Sequence, residues 1–194
     1  MNWLLQHWVE ILGTIFGLIY IYFSIKQNIW LWFFGLISSA LAFYQCLVSG
    51  IYADMAINAY YVGISIYGWI LWKYGTQKTE SGMHTIHFLS RKEIVLYTMT
   101  CLALWLFIAE MLKFTDSTVP YLDAFTTATA IVATYLLTQK YIENWLIFVL
   151  TDAFSIGLFY YKELYFFAFL FAVYTVLAVV GYFNWKKMAT RHLT

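Results

Sequence analysis

Tyr141 to Ser155 read YIENWLIFVLTDAFS, an apolar helical run of the kind that crosses hydrocarbon, with the carboxylate of Asp152 set deep inside it. A charged side chain at the centre of a membrane helix costs about 2.5–3.5 kcal/mol on insertion scales, so it turns towards a partner, a cavity or a substrate rather than lipid. The composition around it settles the class. With 63% hydrophobic residues, 11% charged ones and a mean hydropathy of +0.71 over 194 residues, the chain carries more apolar surface than a soluble domain of this size can bury. It reads as an all-α integral membrane protein.

Several functions are set aside at this stage. A net charge of +1 with the cations at helix ends offers no basic patch for nucleic acid. Cys46 and Cys101 lie in apolar runs without CxxC or Cys/His spacing, so they read as small buried hydrophobes rather than metal or redox groups. The expected spans contain no histidine, no HExxH and no GxxxxGK[ST], which argues against an intramembrane enzyme or a primary pump and implies no cofactor. The first ten residues, MNWLLQHWVE, lack a basic n-region and a small-residue cleavage site, so the first apolar run is expected to be a retained span.

Crossing about 30 Å of hydrocarbon takes roughly 20 helical residues. Seven stretches meet this: Trp8–Ile25, Ile29–Val48, Asp54–Trp72, Ile94–Leu112, Tyr121–Leu137, Asn144–Tyr161 and Leu164–Trp185. Only the third connection, Lys73 to Glu93, is long and polar, and it reads as a hinge. The other loops are turns, so neighbouring helices are antiparallel. With the N-terminus outside, nine Lys and Arg fall inside against Lys113 and Lys162 outside; the positive-inside rule then sets the C-terminus in the cytosol.

Sliding the chain on itself by 113 positions pairs Glu10 with Asp123, Trp32 with Trp145, Ala40 with Ala153, Tyr52 with Tyr165, Tyr61 with Tyr174, Gly68 with Gly181 and Trp72 with Trp185. This is the mark of a duplicated three-helix unit. Three helices invert a direct copy, and a linker helix restores its direction, so the expected plan is 3+1+3 with parallel repeats. The boundaries are residues 1–75 for the first repeat, 76–115 for the polar loop and linker helix, and 116–194 for the second repeat with its tail. The substrate is expected near the midplane.

The segments EILGTIFGLIYIYFSIKQN, FFGLISSALAFYQCLVSGIYADMAINAYY, YGWILW and QKYIENWLIFVLTDAFSI resemble the Pnu family of bacterial vitamin transporters over nearly the whole chain. The resemblance implies uptake of a small cationic vitamin across the inner membrane by facilitated diffusion, trapping by a cytosolic kinase that need not touch the carrier, and a homotrimer. Riboside-carrying members are similar in having a tryptophan and, four positions on, an asparagine where this chain has Phe148 and Asp152. Residues four apart share a helical face, so Phe148 and Asp152 would meet one ligand through a ring and a charge. That pairing suits a permanent cation and points to thiamine, with nicotinamide riboside as the alternative and an ion-coupled symporter, using Asp152 or Glu110, as a third reading.

The expected substrate-binding residues are Asp152, Phe148, Asn58, Tyr61 and Trp145; Glu143 and Asn144, first cap residues, are candidates for an inner gate. Bland roles stand beside these. Asp152 could bond to Ser38, Ser39 or Thr151, and Asp54, Glu10 and Asp123 read as caps or dipole partners. Trp30, Trp32, Trp72, Trp145 and Trp185 near helix ends read mainly as an interfacial belt, with Trp145 the exception.

Overall fold

A computed structural model describes residues 2–49, 52–75, 86–115 and 117–191, with side chains from residue 12 onward, apart from 49, 52, 53 and 191. The side chain of Glu10 therefore lies outside the described residues, as do residues 76–85 of the third connection. Seven helices follow in order: α1 Asn2–Ile25, α2 Trp30–Ser49, α3 Tyr52–Tyr74, α4 Arg91–Leu112, α5 Pro120–Thr138, α6 Glu143–Tyr161 and α7 Tyr165–Arg191. They match the seven expected spans to within a few residues, except for longer ends on α1 and α7. Four, in α2, α4, α6 and α7, are among the described residues long and apolar enough to cross a membrane on their own terms.

The chain divides into two compact units, residues 1–76 and 77–194. In the first, α2 packs between α1 and α3; in the second, α5 packs on α4 and α6, and α6 on α7. α5 sits between two neighbours because its contact positions are minimal: Ala124, Ala128 and Ala133 are fully buried, and small residues let helices approach. Two of its buried threonines satisfy themselves within the helix, Thr129 and Thr134 donating to the carbonyls of Phe125 and Ala130 at 2.8 Å, so neither leaves an open donor in an apolar setting.

The same devices recur 113 positions apart in the two units. α1 ends with Gln27 at φ 52° and α5 with Lys140 at φ 58°. At both ends the next residue's N–H reaches back five residues, Asn28 to Phe23 at 2.9 Å and Tyr141 to Leu136 at 3.0 Å. The left-handed residue itself bonds three back, Gln27 to Ser24 and Lys140 to Leu137. This is the Schellman arrangement, which satisfies the last carbonyls and reverses the chain. Each following helix then presents a tryptophan to a glycine. A Cβ built on Gly68 falls 2.5 Å from the Trp32 ring, and one on Gly181 falls 2.5 Å from the Trp145 ring. Trp72 closes on Trp32 edge to face at 5.5 Å, and Trp185 on Trp145 at 5.6 Å.

These pairs correct the reading of the tryptophans as a membrane-interface belt. Trp32, Trp72, Trp145 and Trp185 are all buried, and only Trp30 of the five is exposed. Glycine is the reason: without a side chain on the facing helix, the indole lies directly on the backbone.

The third connection is likewise more than a hinge where it is described. Residues 86–90 run alongside the α5–α6 turn: His87 N–H bonds to the Lys140 carbonyl and Ile142 N–H to the His87 carbonyl, both at 3.0 Å, forming a parallel bridge from His87 to Tyr141. The Leu89 N–H bonds to the Glu143 carboxylate at 3.1 Å, and the Tyr141 hydroxyl donates to Glu93. Ser90 and Glu93 form a capping box that starts α4, each satisfying the other's backbone N–H. Lys140, in the turn beside this strap, is 5% exposed, and that burial pulls its ammonium down to about 7.

Gly68→Ala and Gly181→Ala should each destabilise the protein by about 1–3 kcal/mol, because the indole cannot retreat without leaving its partner ring; a thermal melt in detergent in which either variant matches the parent would contradict the clamp. For Lys140, the unfolded chain binds a proton between about pH 7 and its ordinary pKa while the folded chain does not, so stability rises with pH across that window. The parent's melting temperature should rise between pH 7 and 9.5, and Lys140→Met, which keeps the side-chain length, should flatten that rise.

Candidate functional site

α6 carries its polar residues on one side. Asn144, Trp145, Thr151, Asp152, Ser155 and Leu158 are buried, whereas Leu146, Leu150 and Phe154 form an exposed apolar stripe, the face suited to lipid. Asp152 is thus turned inwards, 7% exposed.

On α6 itself the neighbouring hydroxyls are already engaged. Thr151 donates to the Ile147 carbonyl at 2.8 Å, and Ser155 to the Thr151 carbonyl at 2.9 Å; Ser38 donates to the Gly13 carbonyl at 3.1 Å. Among the described residues no hydrogen-bond donor or cation is assigned to the Asp152 carboxylate, and the group that couples to it electrostatically is the Tyr174 hydroxyl of α7. A carboxylate so placed lacks the compensation that buried charge requires.

Aromatic rings border the same face. Phe148, half-buried, lies one turn before Asp152, and its ring centroid is 6.4 Å from that of Trp145. The Trp145 indole N–H is buried without a hydrogen-bond partner. Phe148, Trp145 and Asp152 are therefore brought together as the sequence led us to expect, by helical spacing alone. Tyr174 was not named as a site residue, although its pairing with Tyr61 in the 113-residue offset carried the signal.

Asn58 and Tyr61 stand on α3 in the first unit. Asn58 spends one amide donor on the Asp54 carbonyl at 2.9 Å and faces Cys46 at 3.9 Å. Tyr61 stacks edgewise with Tyr60 at 5.4 Å and couples with Tyr20. Asp54 lies in the first turn of α3, where a negative charge complements the helix dipole.

Glu143 and Asn144 are not caps. The N-cap of α6 is Ile142, with no side-chain cap bond. One Glu143 oxygen holds the Leu89 strap and the other is buried without a hydrogen bond; Asn144 donates back to the Tyr141 carbonyl while its own oxygen is unpartnered. Asp123 also departs from a simple dipole role. It accepts from Lys162 at 2.7 and 3.0 Å and from Ser117, tying the start of α5 to the end of α6. A surface depression of about 590 Å3 beside this tie is lined by Ser117, Thr118, Tyr161, Lys162 and Glu163; it includes neither Asp152 nor Phe148.

The comparisons with known proteins agree on one group. Residues 7–187 match the sequence profile of the nicotinamide mononucleotide transporter family. The nicotinamide riboside transporter PnuC of Escherichia coli K12 is 26% identical across 94% of this chain and 86% of its own length. The riboflavin/roseoflavin transporter RibM of Streptomyces davaonensis is 24% identical across 98% and 95%. Among solved structures, the crystal structure of the vitamin B3 transporter PnuC superposes with a TM-score of 0.77 at 24% identity, over 96% of this chain and 83% of that one. These relatives are transporters rather than enzymes. With seven helices, a buried charge among aromatic rings and a profile match over almost its whole length, the chain belongs to the nicotinamide mononucleotide transporter family of multi-pass membrane transporters.

Proposed function

We propose that this chain is a facilitative carrier of a small, permanently cationic vitamin, with nicotinamide riboside as its first substrate. The observation that carries the proposal is Asp152, a carboxylate buried on α6 with no donor among the described residues and with Phe148 and Tyr174 beside it. A pyridinium ring supplies what this site lacks. Its charge pairs with the carboxylate, and its face gains about 0.5–2 kcal/mol against an aromatic ring in a desolvated setting.

Thiamine, favoured from Phe148 and Asp152 alone, is also a permanent cation, but the relatives' names refer to nicotinamide riboside and riboflavin. Riboflavin is neutral and has no positive charge to pair with a buried carboxylate. Nicotinamide riboside meets both conditions, which moves it ahead of thiamine.

The wider proposal keeps the 3+1+3 plan with parallel repeats, supported by the turns and clamps that recur at the 113-residue offset. It also keeps the N-terminus outside, on the Lys and Arg distribution. Asn58 and Tyr61 are proposed as further ligand residues, and Glu143 and Asn144 as residues of the inner gate. Inner-membrane placement, a homotrimeric assembly and trapping by a cytosolic kinase complete the reading. An ion-coupled symporter is the competing mechanism, and accumulation in kinase-free proteoliposomes driven by a proton or sodium gradient would favour it.

The test is a ligand panel by calorimetry on purified protein. Nicotinamide riboside should bind, with thiamine and riboflavin at least tenfold weaker, and Asp152→Asn should weaken riboside binding by more than about tenfold, as expected for removing one partner of a buried charge pair. Thiamine binding more tightly would restore the first reading. An unchanged affinity in Asp152→Asn would remove the charge pair from the proposal.

A further inference from the structure

α4 and α6 each pack on α5, and among the described residues no packed interface joins them to each other. Their starts are joined instead by residues 86–90, through a short set of directional contacts. His87 N–H bonds to the Lys140 carbonyl and Ile142 N–H to the His87 carbonyl at 3.0 Å, Leu89 N–H bonds to Glu143 at 3.1 Å, and the Tyr141 hydroxyl donates to Glu93. The His87 and Tyr97 rings meet Tyr141 at 5.9 and 6.3 Å. Within the strap only Ile86 is buried, and Phe88 is 55% exposed. A segment held by a few hydrogen bonds and one buried side chain opens at less cost than the helices it connects.

Glu143 is where the strap meets the helix that carries Asp152. One of its oxygens accepts from Leu89, and the other is buried with no hydrogen-bond partner among the described residues. The next residue, Asn144, is 0% exposed, and its side-chain oxygen is likewise unpartnered. Its amide nitrogen donates to the Tyr141 carbonyl, so turning the amide over would set two oxygens against each other. An acceptor buried without a donor forfeits its desolvation energy. Two of them at one joint weigh against the strapped arrangement and favour one in which they meet a donor.

The first unit has no such joint. Trp30 and Leu31 stand at the positions of Glu143 and Asn144, and the turn before α2 closes on itself, the Asn28 side chain accepting from Trp30 N–H at 3.0 Å. The α5–α6 turn has Tyr141 at the position of Asn28, and no side chain caps the start of α6.

We propose that residues 87–89 are a releasable latch on α6: paired to the α5–α6 turn they hold its inner end, and breaking the Leu89–Glu143 bond frees α6 to move in each transport cycle. The inference rests on the carrier reading with Glu143 and Asn144 at the inner gate, and adds the element that holds that gate.

His87 and Tyr141 are bridge partners with their rings in contact, the placement a disulfide needs. The experiment joins them, as His87→Cys with Tyr141→Cys in the full chain carrying Cys46→Ala and Cys101→Ala. Oxidation should lower nicotinamide riboside exchange across proteoliposomes at least tenfold, with recovery on reduction, while affinity measured by calorimetry changes less than twofold. Exchange within twofold of the reduced form overturns the latch, and so does a parallel loss of affinity, which would assign the strap to binding rather than movement. A parent chain that exchanges no cationic vitamin overturns the carrier reading and the latch with it. Where the cysteine pair does not fold or does not close, spin labels on Phe88→Cys and Leu146→Cys, both at exposed positions, decide the matter. Two distances whose populations shift with riboside support the latch, and a single unchanging distance overturns it.

Discussion

An indole ring can lie flat on a neighbouring helix only where that helix has no side chain, and this chain meets the condition twice. Trp32 on Gly68 and Trp145 on Gly181 fasten α2 to α3 and α6 to α7 at corresponding points, and Trp72 and Trp185 close each contact edge to face. Within a bilayer, lipid tails are as apolar as the side chains, so helix association depends on close packing and on hydrogen bonds. A large ring against bare backbone gives the closest packing available. The left-handed turns at Gln27 and Lys140 lead into α2 and α6, the helices that carry the two clamping tryptophans.

On this shared frame the two units diverge by exchanging bulk. Tyr20 over Gly35 in one becomes Ala133 with Phe148 in the other, and Ser65 near that ring becomes Ala178. Ser39 gives way to Asp152. Each exchange keeps a packed interior possible, so the frame is shared while the charge and the Phe148 ring are confined to the second unit. The strap of residues 86–90 adds a further asymmetry. It joins the start of α4 to the α5–α6 turn through backbone pairing and through Glu143, and so the helix that carries Asp152 begins at a braced point.

Much of this was legible without coordinates. Helix positions followed from apolar run lengths, because backbone groups in hydrocarbon must bond within their own segment. Asp152, Phe148 and Trp145 fell on one face through the helical period. Other features were not legible. Tryptophans near helix ends look alike whether they meet headgroups or a glycine on another helix, since the glycine is some 36 residues away in sequence. Glu143 and Asn144 resembled caps, yet the donor that engages Glu143 belongs to Leu89, 54 positions earlier.

The amino-acid sequence by itself determined the membrane class, the seven helices, the 113-residue duplication and the one carboxylate whose position calls for a ligand, because each depends on local composition or on a period along the chain. Only the tertiary structure decided that the tryptophans are clamps, that the third connection is strapped to the α5–α6 turn, that Tyr174 is the neighbour of Asp152, and that the Trp32 and Trp145 indoles both lie flat against a glycine backbone. Those depend on contacts between segments distant in sequence and on ring orientation, neither of which a linear pattern contains.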